Sequence, residues 1–151
     1  YGIPAISLRI FPIYGPGLRR QVIYDFIKKL DKNPKELEIL GHGTEARDFV
    51  FVEDLVKNIV LISDRANYEG ELYNLCSGTA HTTREIADCV SVVMGLKPKY
   101  IFTKSIRVFD SHSRTGDFSK IKKFGCKNET TLIDGIDATV RWYNTEHRNL
   151  K

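Results

Sequence analysis

The chain has 151 residues, 42% of them hydrophobic and 28% charged, with 23 Lys and Arg against 19 Asp and Glu for a formal net charge of +4. These proportions exclude a disordered polyelectrolyte and describe a soluble globular protein long enough to build a core. No run approaches the roughly 20 apolar residues that a bilayer-crossing helix needs, and the opening Tyr1-Gly2-Ile3-Pro4 has neither a signal-peptide pattern nor an initiator Met.

Residues 5–11, Ala-Ile-Ser-Leu-Arg-Ile-Phe, are nearly all apolar and predict a strand covered on both faces, as in a parallel sheet. Tyr14-Gly15-Pro16-Gly17 ends it with turn chemistry. Val22, Ile23, Phe26, Ile27 and Leu30 then recur at helical spacing, and Asn33-Pro34 stops that helix. Residues 37–40 read as a short strand running into Gly41-His42-Gly43, and residues 49–52 as another. Asp54 is the expected N-cap of a helix striped by Leu55, Ile59, Ile62 and Ala66, with Gly70 as its breaker.

A strand over residues 72–75 leads to the loop Ser77-Gly78-Thr79. Thr82 and Glu85 stand three apart and predict a capping box for a helix carrying Ile86, Val90 and Val93, which Gly95 closes. Residues 99–103 read as a further strand, and Asp117 as the cap of a short helix with Ile121 and Phe124, terminated by Gly125. Thr131 precedes a last helix with Leu132, Ile136, Val140 and Tyr143. Alternation of strands and helices without repeat or linker argues for the α/β class. The strands at 5–11 and 72–75 have few candidate neighbours in the chain, which implies that further strands come from the complete polypeptide and that this piece alone is unstable or pairs through its edges.

Lysines gather at 28, 29, 32 and 35 and at 120, 122, 123 and 127, where cations suit helix C-termini. No aromatic residues interleave with them in a stacking pattern, so a nucleic-acid surface is the weaker reading. Cys76, Cys89 and Cys126 are odd in number and dispersed, which argues for a reducing compartment and against a disulfide framework. Neither they nor His42, His81, His112 and His147 show metal-ligand spacing.

Read in order, Arg9, Tyr14-Gly15-Pro16, Gly41-x-Gly43, Arg47-Asp48-Phe49, Val52, Asp54, Tyr73-Asn74, Gly78, Arg107 with Asp110, Asp117-x-Ser119-Lys120 and Gly125 span nearly the whole chain. In that order and spacing the chain resembles the C-terminal part of the extended short-chain dehydrogenase/reductases, the NAD(P)-dependent sugar-nucleotide epimerases and dehydratases. The resemblance implies the later part of a Rossmann-type fold, with remnant strands near 5–11 and 72–75, together with the small α/β substrate-binding region, over residues 1–151. It implies a cytoplasmic isomerase or lyase of carbohydrate biosynthesis, a homodimer when intact, that uses NAD or NADP and takes a nucleotide sugar, with no nucleic-acid or membrane partner.

Arg47 is the first candidate for gripping the substrate diphosphate, because a guanidinium meets paired anionic oxygens with fixed, bidentate donors. The alternative is a surface Arg paired with Asp48 or Glu45. By resemblance Arg107, oriented by Asp110, is the second arm of the clamp; Val108 and Phe109 replace the Pro-Gly usual there, and Arg114 is its rival in another register. Val22 is expected to line the nucleotide pocket or the core, and Phe11 and Pro12 to lie beside the nicotinamide. Where relatives often place an Asn that touches phosphate, Pro12 has no side-chain donor and no N–H.

The family's Gly-x-x-Gly-x-x-Gly turn, which brings a helix N-terminus to the cofactor pyrophosphate, has no counterpart here. Its Tyr-x-x-x-Lys catalytic pair is also missing: Tyr24-x-x-x-Lys28 matches formally but follows the Tyr-Gly-Pro turn instead of preceding it. This stretch alone is therefore expected to bind no dinucleotide and to be inactive, with no catalytic residue of its own. Asp54, Asp117 and Tyr73 read as caps and core. A catalytically silent member that only binds nucleotide sugar or dinucleotide, or senses it, is the second functional reading.

Overall fold

A computed structural model describes residues 2–103 and 113–148. In chain order the elements are β1 (Ala5–Ile10), β2 (Ile13–Tyr14), α1 (Gln21–Lys32), β3 (Glu36–Ile39), β4 (Ala46–Asp48), β5 (Val50–Phe51) and α2 (Val52–Arg65). They continue with β6 (Glu69–Leu75), β7 (Ala80–Thr82), α3 (Thr83–Val93), β8 (Lys99–Phe102), β9 (Ser113–Arg114), α4 (Ser119–Lys122) and α5 (Leu132–Arg148). The class is α/β, as the alternation implies.

Helix positions follow the apolar stripes. α1 buries Ile23, Phe26, Ile27 and Leu30 and stops at Asn33, the residue before Pro34. α3 carries the full capping box: the Glu85 N–H donates to Thr82 Oγ1 at 3.1 Å, and the Thr82 N–H donates to Glu85 Oε2 at 2.8 Å. Gly95 follows its end at φ 69°, the left-handed conformation that glycine adopts without steric cost. At α5 the Asp134 N–H donates to Thr131 Oγ1 at 3.3 Å.

Three local expectations are corrected. α2 starts at Val52 with Phe51 at its N-cap, so Asp54 lies inside the first turn, where the Thr130 N–H donates to its Oδ2 at 2.9 Å. Gly70 does not break that helix, which ends at Arg65; it lies within β6, which starts earlier than its apolar run suggested. Asp117 stands one residue ahead of the α4 cap, although its Oδ1 still accepts the Ser119 N–H at 2.8 Å.

Among the described residues four small sheets result: β1 with β6, β2 with β5 and β3 with β8, all parallel, and a mixed sheet in the order β7-β4-β9. One apolar cluster packs α1, α3 and α5 around Leu37 and Ile39 of β3. The other joins Tyr73 and Leu75 of β6 to Leu55 and Ile62 of α2 and to Ile121 and Phe124. Among the described residues β1 pairs with β6 alone, and Ile10 (47% exposed) and Leu72 (42%) stay open to solvent. The expected covering of β1 on both faces is therefore not met: Ile6 and Leu8 pack on the second cluster, while Ala5, Ser7 and Arg9 on the other face stay exposed.

Candidate functional site: a basic row on a strand locked by a buried aspartate

β4 is three residues long, and alternation sends its side chains to opposite faces. Ala46 and Asp48 point inward and are buried, whereas Arg47 between them is half-buried. Asp48 has no exposed surface and accepts four hydrogen bonds. The Ser77 N–H and Oγ–H both donate to Oδ1 at 2.7 Å, and the N–H groups of Gly78 and Gly116 donate to Oδ2 at 3.0 Å. One carboxylate thus ties β4 to the β6–β7 loop and to the stretch between β9 and α4. Asp48 was read only as a partner for Arg47; the structure gives it three backbone N–H donors and the Ser77 hydroxyl, all distant in sequence.

Across the sheet, Arg47 pairs in register with His81 of β7 on one side and with Arg114 of β9 on the other. Residues directly opposite one another share a face, with Cβ atoms about 5 Å apart. Arg47 Nη1 donates to its neighbouring Ala46 carbonyl at 2.7 Å. Arg114, the rival in the sequence, is thereby the arginine that the described structure sets beside Arg47. Arg107 and Asp110 lie outside the described residues.

Glu45 does not serve as the arginine's partner through its cap either. Burial raises the Glu45 carboxyl, but the N–H groups of His42 and Gly43, donating to its two oxygens at 2.9 Å, outweigh this and hold it below the usual carboxylate range. These bonds fix the Gly41-His42-Gly43 turn that leads into β4.

Other sequence candidates fall elsewhere. Val22 is half-buried and packs on the cluster of α1, α3 and α5. Phe11 packs on the second cluster, and its N–H donates to the Leu75 carbonyl at 3.0 Å, extending the β1–β6 ladder. The Pro12 carbonyl accepts the Val50 N–H at 2.8 Å. Phe11 and Pro12 therefore sit outside the carboxyl end of β1, the place where open parallel sheets hold ligands. Tyr73 is a core residue whose hydroxyl donates to Glu71, which pushes its pKa up to about 12. Tyr24, the formal catalytic match, lies on α1 against the rings of Trp142 and Tyr143.

Beside the basic row lies a cavity of about 290 Å³ lined by Tyr14, Asp54, Ser77, Thr79, His81 and Thr130 among others. Neither Arg47 nor Val22 lines it. Tyr14 is 4% exposed, and burial, with the anions Asp54 and Asp134, raises its phenol well above the ordinary range. Its ring packs edge-on against Phe49 and Phe51 and lies over Gly135 of α5, where a Cβ would stand 2.4 Å from the hydroxyl oxygen.

Among the described residues no group of His, Cys, Asp and Glu is placed to hold a metal ion, and no helix is long and apolar enough to cross a membrane.

The model of the NAD-dependent epimerase/dehydratase family matches residues 1–76. The chain belongs to that family. It is 29% identical to the UDP-glucuronate 4-epimerase of Thermodesulfobacterium geofontis over 94% of its own length and 44% of the relative's. It is likewise 29% identical to a dTDP-4-dehydro-6-deoxy-D-allose reductase of a Streptomyces species, covering 98% of this chain and 46% of that one. Among solved structures, the UDP-glucuronic acid 4-epimerase of Bacillus cereus, in complex with UDP-glucuronic acid and NAD, superposes with a TM-score of 0.86 at 25% identity over 95% of this chain and 46% of its own. The chain spans about half the length of the curated relatives it matches.

Proposed function

We propose that this chain is the substrate-binding part of an NAD(P)-dependent nucleotide-sugar epimerase or dehydratase, similar to a UDP-glucose 4-epimerase, and that its task is to hold the nucleotide diphosphate. The observation that carries this reading is the basic row: Arg47 stands in register with Arg114 on a strand that Asp48 fastens to two loops. A guanidinium carried on a strand held in this way can present planar paired donors to a diphosphate. Arg107, oriented by Asp110, is the proposed second arm. The relative in complex with a UDP-sugar and NAD supports both the substrate class and the cofactor class.

Bound NAD(P) would supply hydride exchange with the sugar ring. The residues described here fit one edge of such a group and not its centre: Phe11 and Pro12 offer an apolar border at the carboxyl end of β1, and no glycine-rich pyrophosphate turn occurs among the 151 residues. Residues 1–151 thus orient the substrate, while dinucleotide binding and the proton-transferring Tyr-x-x-x-Lys pair belong to the rest of the protein. By itself the chain is proposed to be inactive. The outer edges of the two-stranded β1–β6 sheet, which pair with no other described strand, are where association would occur. The thiols Cys76, Cys89 and Cys126 are unbridged, in keeping with a cytoplasmic setting.

Calorimetry of the full-length protein with a panel of nucleotide sugars tests the reading. Arg47→Ala and Arg107→Ala should each weaken binding by roughly 1.5–3 kcal/mol, the range for a hydrogen bond to a charged group. Unchanged affinity in both would remove them from the site.

A further inference from the structure

Beside its two arginines the basic row holds one histidine, His81. Its register places it directly opposite Arg47, on the same face of the sheet, with Arg114 on the far side of the arginine. Like charges directly opposite one another weaken a sheet.

The imidazole is about three-quarters buried, with 28% of the side chain exposed, and it lines the cavity beside the row. Neither ring nitrogen has a hydrogen-bond partner among the described residues. The nearest carboxylate oxygen, Glu85 Oε2, is 3.7 Å from Nδ1, beyond hydrogen-bond distance. That same oxygen already accepts the Thr82 N–H at the start of α3, so the capping box holds it away from the ring. Its cross-strand neighbour on β4 is Arg47, Glu85 of α3 lies nearest its Nδ1, and Tyr14 of β2 and Asp54 of α2 share the lining of the same cavity. Glu85 is within ion-pair reach of the ring but not within hydrogen-bond distance.

We infer that His81 is a third, proton-gated donor of the diphosphate site: once protonated it contacts the diphosphate that Arg47 holds, so affinity for nucleotide sugar rises as pH falls. The inference rests on the reading of Arg47 given above. Histidine is the side chain that ordinarily changes charge between about pH 5 and 8. The diphosphate of a nucleotide sugar is a diester and keeps its charge across that range, whereas a free nucleoside diphosphate has a terminal phosphate that titrates near pH 6. UDP-glucose is therefore the appropriate probe.

Titration calorimetry of the full-length protein with UDP-glucose at about pH 5.5 and pH 8.0 separates the outcomes. The unmodified protein should bind roughly tenfold to a hundredfold more tightly at the lower pH, the effect of one hydrogen bond to a charged group. His81→Gln should match it at the higher pH and lose the dependence, and His81→Lys should bind tightly at both. Arg47→Ala should weaken binding at both pH values and keep the dependence. A pH dependence that survives in His81→Gln, or none in the unmodified protein, overturns the inference while leaving Arg47 in place. Loss of the dependence in His81→Gln with no effect of Arg47→Ala would instead keep His81 as the anion contact and overturn the Arg47 assignment.

Discussion

Asp48→Asn is the substitution whose cost can be worked out most closely. The native carboxylate is fully buried and accepts four hydrogen bonds, two on each oxygen, with the pair from Ser77 at 2.7 Å and those from Gly78 and Gly116 at 3.0 Å. An amide keeps one acceptor oxygen. If that oxygen keeps Ser77, the amide nitrogen, itself a donor, faces the N–H groups of Gly78 and Gly116. Each buried donor left unpaired costs about 1–3 kcal/mol, so two give roughly 2–6 kcal/mol. Asp48→Ala strands all four donors and should cost at least as much. On a melting curve a loss of about 3 kcal/mol corresponds to a fall of roughly 6–12 °C for a unit of 150–250 residues. Chemical denaturation of the full-length protein, with nucleotide-sugar affinity measured below the transition, is the assay. Affinity should fall together with stability, because Arg114 keeps its register with Arg47 only while the Gly116 segment is fastened. A loss below about 1 kcal/mol would refute the idea that this carboxylate fastens the site.

Other outcomes follow from single contacts. Gly135→Ala replaces a poor helix former, yet its Cβ would lie 2.4 Å from the Tyr14 hydroxyl oxygen, so denaturation should show a loss of about 1–3 kcal/mol that shrinks when Tyr14 is also Leu. Thr82→Ala removes the side-chain acceptor for the Glu85 N–H and should cost about 1 kcal/mol by the same assay. Because the folded Glu45 carboxyl is held below its ordinary range, its contribution is present above the unfolded pKa and is lost as pH falls through the folded one. Acid unfolding of Glu45→Gln should therefore be less steep than that of the unmodified protein. Burial raises both thiols, Cys76 to about 11, but Cys76 is buried and Cys89 only half-buried, so iodoacetamide at mildly alkaline pH should modify Cys89 before Cys76 in the native protein.

Helices were the most legible part of the fold, and the reason is local. The stripe from Val22 to Leu30, the Thr82–Glu85 box and the Thr131 cap are written within a single turn or a few, and each lies where its pattern puts it. Strands of two or three residues have no such signal. β4, β7 and β9 exist because Arg47 meets His81 and Arg114 across long sequence separations, and no periodicity announces that. The same limit explains Asp48. Its position next to Arg47 suggested an ion pair, whereas strand alternation turns it to the other face, toward donors that only the fold brings near.

Asp54 and Gly70 show a second kind of limit. An acidic residue near a helix start and a glycine beyond its end fit the general cap and breaker patterns, but the α2 cap lies three residues earlier, at Phe51, and the helix stops well before the glycine. For the site, the sequence motifs isolated Arg47 and placed Arg114 as a rival arm; register then set the two side by side. The positions of Arg107 and Asp110 fall outside the described residues, so their part in the clamp rests on motif spacing.

The most direct test is a crystal structure of the full-length protein with a bound nucleotide sugar. The account predicts diphosphate oxygens within hydrogen-bond distance of the Arg47 guanidinium, roughly 2.7–3.2 Å, over the face shared with His81 and Arg114. A diphosphate seated elsewhere, with Arg47 turned to solvent, would contradict it.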